Sequence, residues 1–203
     1  PPPPTNYLPS NLKSILPLPQ LQTFTLHFRI NYKTQPSSSM RMVANTKSLP
    51  GCEASSDRYG WSIYVNNWDT DDGRVVFEYG NSVSGCNKLS SKYTLKPSPS
   101  WVSVAVTVDS STGKGMMYVD GRLDSAFDLT SGGVGESGEV KVKIGGGRED
   151  DVEGGLSGLK IWDRALDSVD IESVYKGSYN TPPILDVSFG EKDKKVGGVP
   201  LGS

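Results

Sequence analysis

The chain has 203 residues, and 21 Lys+Arg against 23 Asp+Glu leave a net charge of -2, which gives no electrostatic footprint for nucleic acid or an anionic membrane. Only 35% of residues are hydrophobic, while 23 are Gly and 14 are Pro, a composition of short strands and turns suited to one all-β domain or two small ones. With His27 as the single histidine, multi-His zinc sites are excluded and a Ser-His-Asp triad has little to stand on.

Seven of the first 20 residues are proline. No helix or central strand survives that density, so residues 1–20 are expected to form an extended arm, partly polyproline II, hugging the domain or reaching for a neighbour. From Phe24 the pattern turns to period 2: Phe24, Leu26, Phe28, Ile30 and Tyr32 alternate with Thr25, His27, Arg29 and Asn31. His27 therefore points away from the aromatic face and reads as a surface or secondary-face histidine. Met40–Ala44 is a second short strand. Gly60–Asn67 and Arg74–Tyr79 are two more, joined by the loop Trp68–Gly73. Val102, Val104, Val106 and Val108 form the clearest half-buried strand; at eight residues, Trp101 to Val108 is far too short to span a bilayer.

Asp109–Gly113 turns that strand into Met116–Val119. Asp120-Gly121 then signals a type I′ hairpin, since both central positions want positive φ, and Leu123–Leu129 returns. After the Gly/Ser-rich loop 131–138 come strands Val140–Ile144 and Leu156–Trp162. One helix is expected over Asp167–Tyr175, with Asp167 as N-cap, Asp170 in a capping-box position and Val169, Ile171, Val174 and Tyr175 apolar. Ile184–Phe189 is the last strand. The expected fold is an antiparallel two-sheet sandwich carrying one short C-terminal surface helix.

Cys52 and Cys86 flank the strands Gly60–Asn67 and Arg74–Tyr79, and their midpoint falls within the intervening loop. In a hairpin the two would meet at its open end. A disulfide there restrains the unfolded chain by roughly 3–4 kcal/mol and places the protein in an oxidising compartment, secreted or luminal; the alternative is two buried free thiols. The chain has no Asn-x-Ser/Thr sequon and opens on Pro1–Pro4 rather than a basic signal region, so it reads as a processed or excised chain.

The run Lys143-Ile144-Gly145-Gly146, Gly158-Leu159-Lys160-Ile161-Trp162-Asp163 through Ala165-Leu166, and Ile171-Glu172-Ser173-Val174-Tyr175 resembles the laminin-G/pentraxin class of concanavalin-like jelly rolls. Trp101 to Gly121, ending Val119-Asp120-Gly121, is similar to the same class. Leu21–Arg29 and Pro183–Asp186 resemble the first core strand and closing segment of pentraxins. The likeness implies a jelly roll over residues 21–190, preceded by the arm 1–20 and followed by a tail 191–203. The pentraxin intersheet disulfide falls here on His27 and Ala105, so that bond is absent. The pentraxin calcium ligands match Glu149, Asp150 and Asp151, with Asp57 as a match in an earlier loop and Arg58 where the family has Asn. The resemblance thus implies calcium as an assisting ion.

Three site readings compete. The loop Arg148–Glu153 is a Gly-flanked cluster of oxygen donors, suited to calcium or simply a solvated turn partnered by Arg148. Its Glu149, Asp151 and Glu153 resemble the catalytic run of laminarinase-type hydrolases, although the glycines on both sides favour a loop over a strand centre. Trp68, with Asn66, Asn67, Asp69, Asp71 and Asp72, forms a hairpin tip where an aromatic plane is ringed by polar groups, as in glycan sites; alternatively Trp68 packs on its own loop. Trp61, Trp101 and Trp162 belong to strand cores. The function expected is a non-catalytic, lectin-like recognition module for a glycan or protein partner. The alternatives are a structural subunit using the arm and a sandwich face, and a β-glucan hydrolase. No nucleic-acid partner and no transmembrane segment are expected.

Overall fold

A computed structural model describes residues 8–9, 13–32, 40–45, 59–66, 72–81, 83, 85–136, 138, 141–145 and 154–188. In chain order the elements are β1 (Leu8–Pro9), β2 (Lys13–Pro17), β3 (Phe24–Tyr32), β4 (Met40–Asn45), β5 (Gly60–Val65), β6 (Arg74–Asn81) and β7 (Gly85–Thr94). There follow β8 (Ser98–Asp109), β9 (Lys114–Val119), β10 (Arg122–Asp128), β11 (Lys141–Gly145), β12 (Gly154–Trp162), α1 (Ser168–Lys176) and β13 (Leu185–Val187). One antiparallel sheet runs β1-β12-β3-β8-β9-β10, with β13 also on β12; the other runs β2-β11-β4-β5-β6-β7. The all-β jelly-roll sandwich read from the sequence is the fold observed.

Alternation dictates the core. Phe24, Leu26, Phe28 and Ile30 of β3 and Val104, Val106 and Val108 of β8 face Trp61, Ile63, Val65, Val75 and Phe77 of the opposite sheet, all buried. Phe24 stacks on Trp61 at 5.2 Å, and Phe77 meets Tyr79 at 5.6 Å and Phe127 at 6.1 Å. Such offset ring pairs add about 0.5–1.5 kcal/mol each beyond the area they bury.

The outer face of the first sheet is also covered. Ala105, Tyr118 and Trp162 pack with Leu166 and with Ile171 and Val174 of α1 in a second apolar cluster. Thr25 fastens the approach to the helix: its hydroxyl donates to the Arg164 carbonyl and accepts from the Leu166 N–H, both at 2.8 Å. Trp162 donates its indole N–H to the Thr181 carbonyl at 2.9 Å, and Tyr179 meets its ring edge-on. Of the three tryptophans assigned to strand cores, Trp61 lies between the sheets, Trp162 lies under the helix and Trp101 is half-buried.

Three expectations are corrected. His27 is on the secondary face, as the alternation requires, but not on the surface. It is 4% exposed; its cross-strand neighbours are Lys160 and Ala105, and Ala105 belongs to the cluster that packs under α1. Residues 13–18 are part of the sandwich: β2 pairs along β11 from Lys13↔Gly145 to Pro17↔Lys141, and Leu16 and Leu18 enter the core. A proline is tolerated there because an edge strand is paired on one side only. Finally, β7 is a ten-residue strand with no counterpart in the alternation reading.

Candidate functional site

Three segments converge on a cleft of about 830 Å³: the β9–β10 hairpin, the end of β7 and the C-terminal half of α1. The hairpin has the two-residue turn its Asp-Gly pair demands, with φ of 48° at Asp120 and 76° at Gly121, and Val119 opposite Arg122. Asp120 also ties the turn to β8. Its N–H donates to the Ser103 carbonyl and its Oδ1 accepts from the Ser103 N–H, each at 2.9 Å.

The second wall depends on a bulge. The β9–β10 register shifts between Leu123 and Ser125, which re-aims Asp124 out of the ladder. Its carboxylate reaches across the open long edge of the sandwich to the other sheet. It accepts the N–H of Lys92 at 2.7 Å and the N–H of Tyr93 at 2.8 Å, and the Ser125 hydroxyl at 2.6 Å. One side chain thus holds the two sheet edges together and fixes Tyr93 as a cleft wall.

The third wall is α1. Asp167 caps it by accepting the N–H groups of Val169 and Asp170 at 2.9 Å, and Gly177 closes it in the left-handed region at φ 76°. Tyr175 lies on the backbone of Gly121, so closely that a methyl group there would be 3.0 Å from its ring. On the same helix face Lys176 donates to Glu172 at 2.5 Å. That contact, reinforced by the charge of Arg122, holds the Glu172 carboxyl below the usual carboxylate range. Arg122 itself makes no hydrogen bond or ion pair with any of the described residues. The cleft therefore offers an exposed ring, Tyr93, and an exposed aliphatic side chain, Leu123, beside cations and carboxylates. That mixture suits a polar ligand with one apolar face.

Of the hairpin-tip residues, the described ones serve the neck of the loop. Asn66 is buried with φ 65°; its Oδ1 accepts the Gly73 N–H at 2.7 Å and its N–H donates to the Arg74 carbonyl. Asp72 accepts the Arg74 N–H at 3.1 Å. Asn67, Trp68, Asp69 and Asp71 lie outside the described residues, as do Asp57, Glu149, Asp150, Asp151 and Cys52. Cys86 stands half-buried on β7 opposite Gly80. Among the described residues no three His, Cys, Asp or Glu side chains cluster as a metal site would require. His27 bonds the Ser103 hydroxyl through Nε2 at 2.9 Å. Burial first, then the charges of Arg29 and Lys160, push its pKa down to about 3, so it stands neutral within the packing.

None of the cleft residues was singled out as a site from the sequence. Asp120-Gly121 was legible as a turn and Tyr175 as an apolar helix position. Tyr93 sits in a strand without alternation, and nothing local announces that Asp124 turns toward it.

The sequence profile of a laminin-G family, described as the concanavalin A-like lectin/glucanases superfamily, matches residues 6–172. The chain belongs to this superfamily. No curated protein sequence matches it. Among solved structures, the heptameric SAP-like pentraxin from Limulus polyphemus is similar at 18% identity and a TM-score of 0.60, over 94% of this chain and 86% of that one. The receptor binding domain of botulinum neurotoxin D is similar at 16% identity and a TM-score of 0.64, over 85% of this chain and 44% of that one. The serotype D ligand binding domain in complex with N-acetylneuraminic acid gives 16% identity, a TM-score of 0.64, 85% and 42%. At such identities the likeness shows the fold alone, and this chain spans less than half the length of the toxin domains. No helix among the described residues is long and apolar enough to cross a membrane.

Proposed function

We propose that the protein is a non-catalytic, lectin-like recognition module that holds a glycan in the cleft between the β9–β10 hairpin, β7 and α1. The carrying observation is the cleft itself: the Tyr93 ring and the Leu123 side chain are apolar surfaces at 41% and 57% exposure, set among Arg122, Asp124, Glu172 and Lys176. Sugars present an apolar ring face and a hydroxyl rim, which such a mixture matches. The toxin domain crystallised with N-acetylneuraminic acid is a relative in fold that takes a sugar. A glycan array probed with the wild type, Tyr93→Ala and Trp68→Ala tests this reading. Binding lost in the Tyr93 variant supports it. Binding that survives Tyr93→Ala but disappears with Trp68→Ala moves the site to the hairpin tip, and no binding at all refutes the lectin reading.

Two accessory features belong to this reading. Calcium is the proposed ion, held by Glu149, Asp150 and Asp151, with Asp57 as a further donor. Millimolar calcium should raise the melting temperature, and an unchanged melt removes the ion. The Cys52–Cys86 disulfide, with the oxidising compartment it requires, is supported by the absence of a free thiol among the described residues. Reduction, or Cys86→Ser, should lower stability by roughly 3–4 kcal/mol; equal melts with and without reductant would exclude the bond.

A further inference from the structure

The charged groups lining the cleft are not equally available. Glu172 is engaged by Lys176, Asp124 by two backbone N–H groups and the Ser125 hydroxyl, and Asp120 by the Ser103 N–H. Lys176 is likewise occupied by Glu172. Arg122 is the exception: it begins β10 at the mouth of the cleft, exposed, and although its charge acts on Glu172 it makes no hydrogen bond or ion pair with the described residues. We infer that Arg122 is the anion contact of this cleft and that its ligand is an acidic saccharide, one whose terminal sugar carries a carboxylate or sulfate.

The planar guanidinium offers paired N–H donors whose spacing matches an oxyanion, and such charge-assisted bonds are about twice as strong as neutral ones. Tyr93 and Leu123 would take the apolar face of the same sugar ring. The engaged carboxylates keep acceptor lone pairs for its hydroxyls, because each oxygen can accept more than one hydrogen. The cleft would thus choose among sugars by the anion and hold them by the ring.

This inference rests on the lectin reading, and one titration separates the two. The purified protein is titrated at 50 mM and 300 mM salt with four probes of matched length. They end in N-acetylneuraminic acid, glucuronic acid, a 6-sulfated galactose and neutral galactose. The expected result is about tenfold tighter binding of an acidic probe than of the neutral one at low salt, narrowing at high salt. The carboxylate and sulfate arms identify which oxyanion is preferred. Arg122→Gln should bring the acidic and neutral probes to the same affinity, and Arg122→Lys should restore only part of the preference, as a point charge cannot bond bidentately. Because the side chain is exposed, Arg122→Gln should melt with the wild type. Equal affinity for neutral and acidic probes, or a preference that survives Arg122→Gln, overturns the inference and leaves the lectin reading standing. Failure of every saccharide, including the case in which only an acidic peptide binds, overturns both.

Discussion

Gly121 is where the turn, the helix and the cleft meet, and replacing it by alanine should reveal that junction. Two costs add at this position. An L-residue at φ 76° meets steric opposition of about 1–2 kcal/mol. The new methyl also lies 3.0 Å from three atoms of Tyr175, well inside the roughly 3.5–4.0 Å optimum for carbon pairs, and overpacking of this kind costs about 1–3 kcal/mol. Two other glycines separate the terms. Gly113 at φ 66° and Gly177 at φ 76° have nothing within 4 Å of an added Cβ, so Gly113→Ala and Gly177→Ala bear the backbone cost alone. Near 200 residues, each kcal/mol moves the melting temperature by about 2–4 °C. At about 3 °C per kcal/mol the controls should therefore fall by about 3–6 °C and Gly121→Ala by about 6–15 °C, read by calorimetry. Gly121→Ala alone should also weaken ligand binding, because it displaces Tyr175. Three equal losses would refute the claim that Tyr175 rests on the hairpin.

The bulged Asp124 predicts a second effect: Asp124→Ala removes both acceptors of the Lys92 and Tyr93 amides and should cost about 1–2 kcal/mol, since water can reach those groups. Asp124→Asn should lose less, and both variants should bind ligand more weakly; an unaltered affinity would mean that Tyr93 needs no such anchor. His27 predicts a pH dependence. Its pKa is about 3 in the fold against 6.5 when free, so the unfolded chain takes up the proton first and stability falls as pH drops below 6.5. The loss between pH 6.5 and 5 should be about 1.5 kcal/mol, or roughly 3–6 °C, before most carboxylates titrate. His27→Gln should flatten that slope, and a variant as acid-sensitive as the wild type would show that another group is responsible.

Much of the sandwich was legible because the core-facing side chains of β3, β5 and β8 are apolar at every second position, although the positions between them are largely buried as well. The helix was legible through its cap, Asp167, and its stop, Gly177. What escaped was decided by neighbours. In β7, Leu89 is the side chain that packs against the main core, and Ser91 is buried by accepting the Val75 N–H and donating to the Tyr93 carbonyl. Such a strand exists because β6 offers it a ladder, not because its side chains alternate. Strand β2 was hidden by its prolines, although Leu16 and Leu18 keep the period that exposed Ile15 interrupts. His27 was read on the correct face, but alternation within one strand says nothing of a helix 140 residues later that packs on the same face. The cleft is the extreme case, since its walls come from three separated segments and are aligned by Asp124, whose direction depends on a register shift that composition does not encode.

That manner of assembly bears on how the cleft would work. Each wall is tied through backbone groups: the hairpin to β8 through Ser103, β7 to β10 through Asp124, and α1 through its own caps and the apolar cluster beneath it. Little conformational freedom is left to lose on binding, so the affinity of a small ligand would not be spent on ordering the site. The walls also belong to both sheets, joined here at the edge pair β7 and β10. A ligand touching Tyr93 and Arg122 together would clamp that edge, which opens when the protein unfolds. Binding should therefore appear as stabilisation of the whole domain, about 2.7 kcal/mol at a hundredfold excess over Kd, and at the same ligand concentration this gain should shrink in Asp124→Ala in step with its weaker affinity.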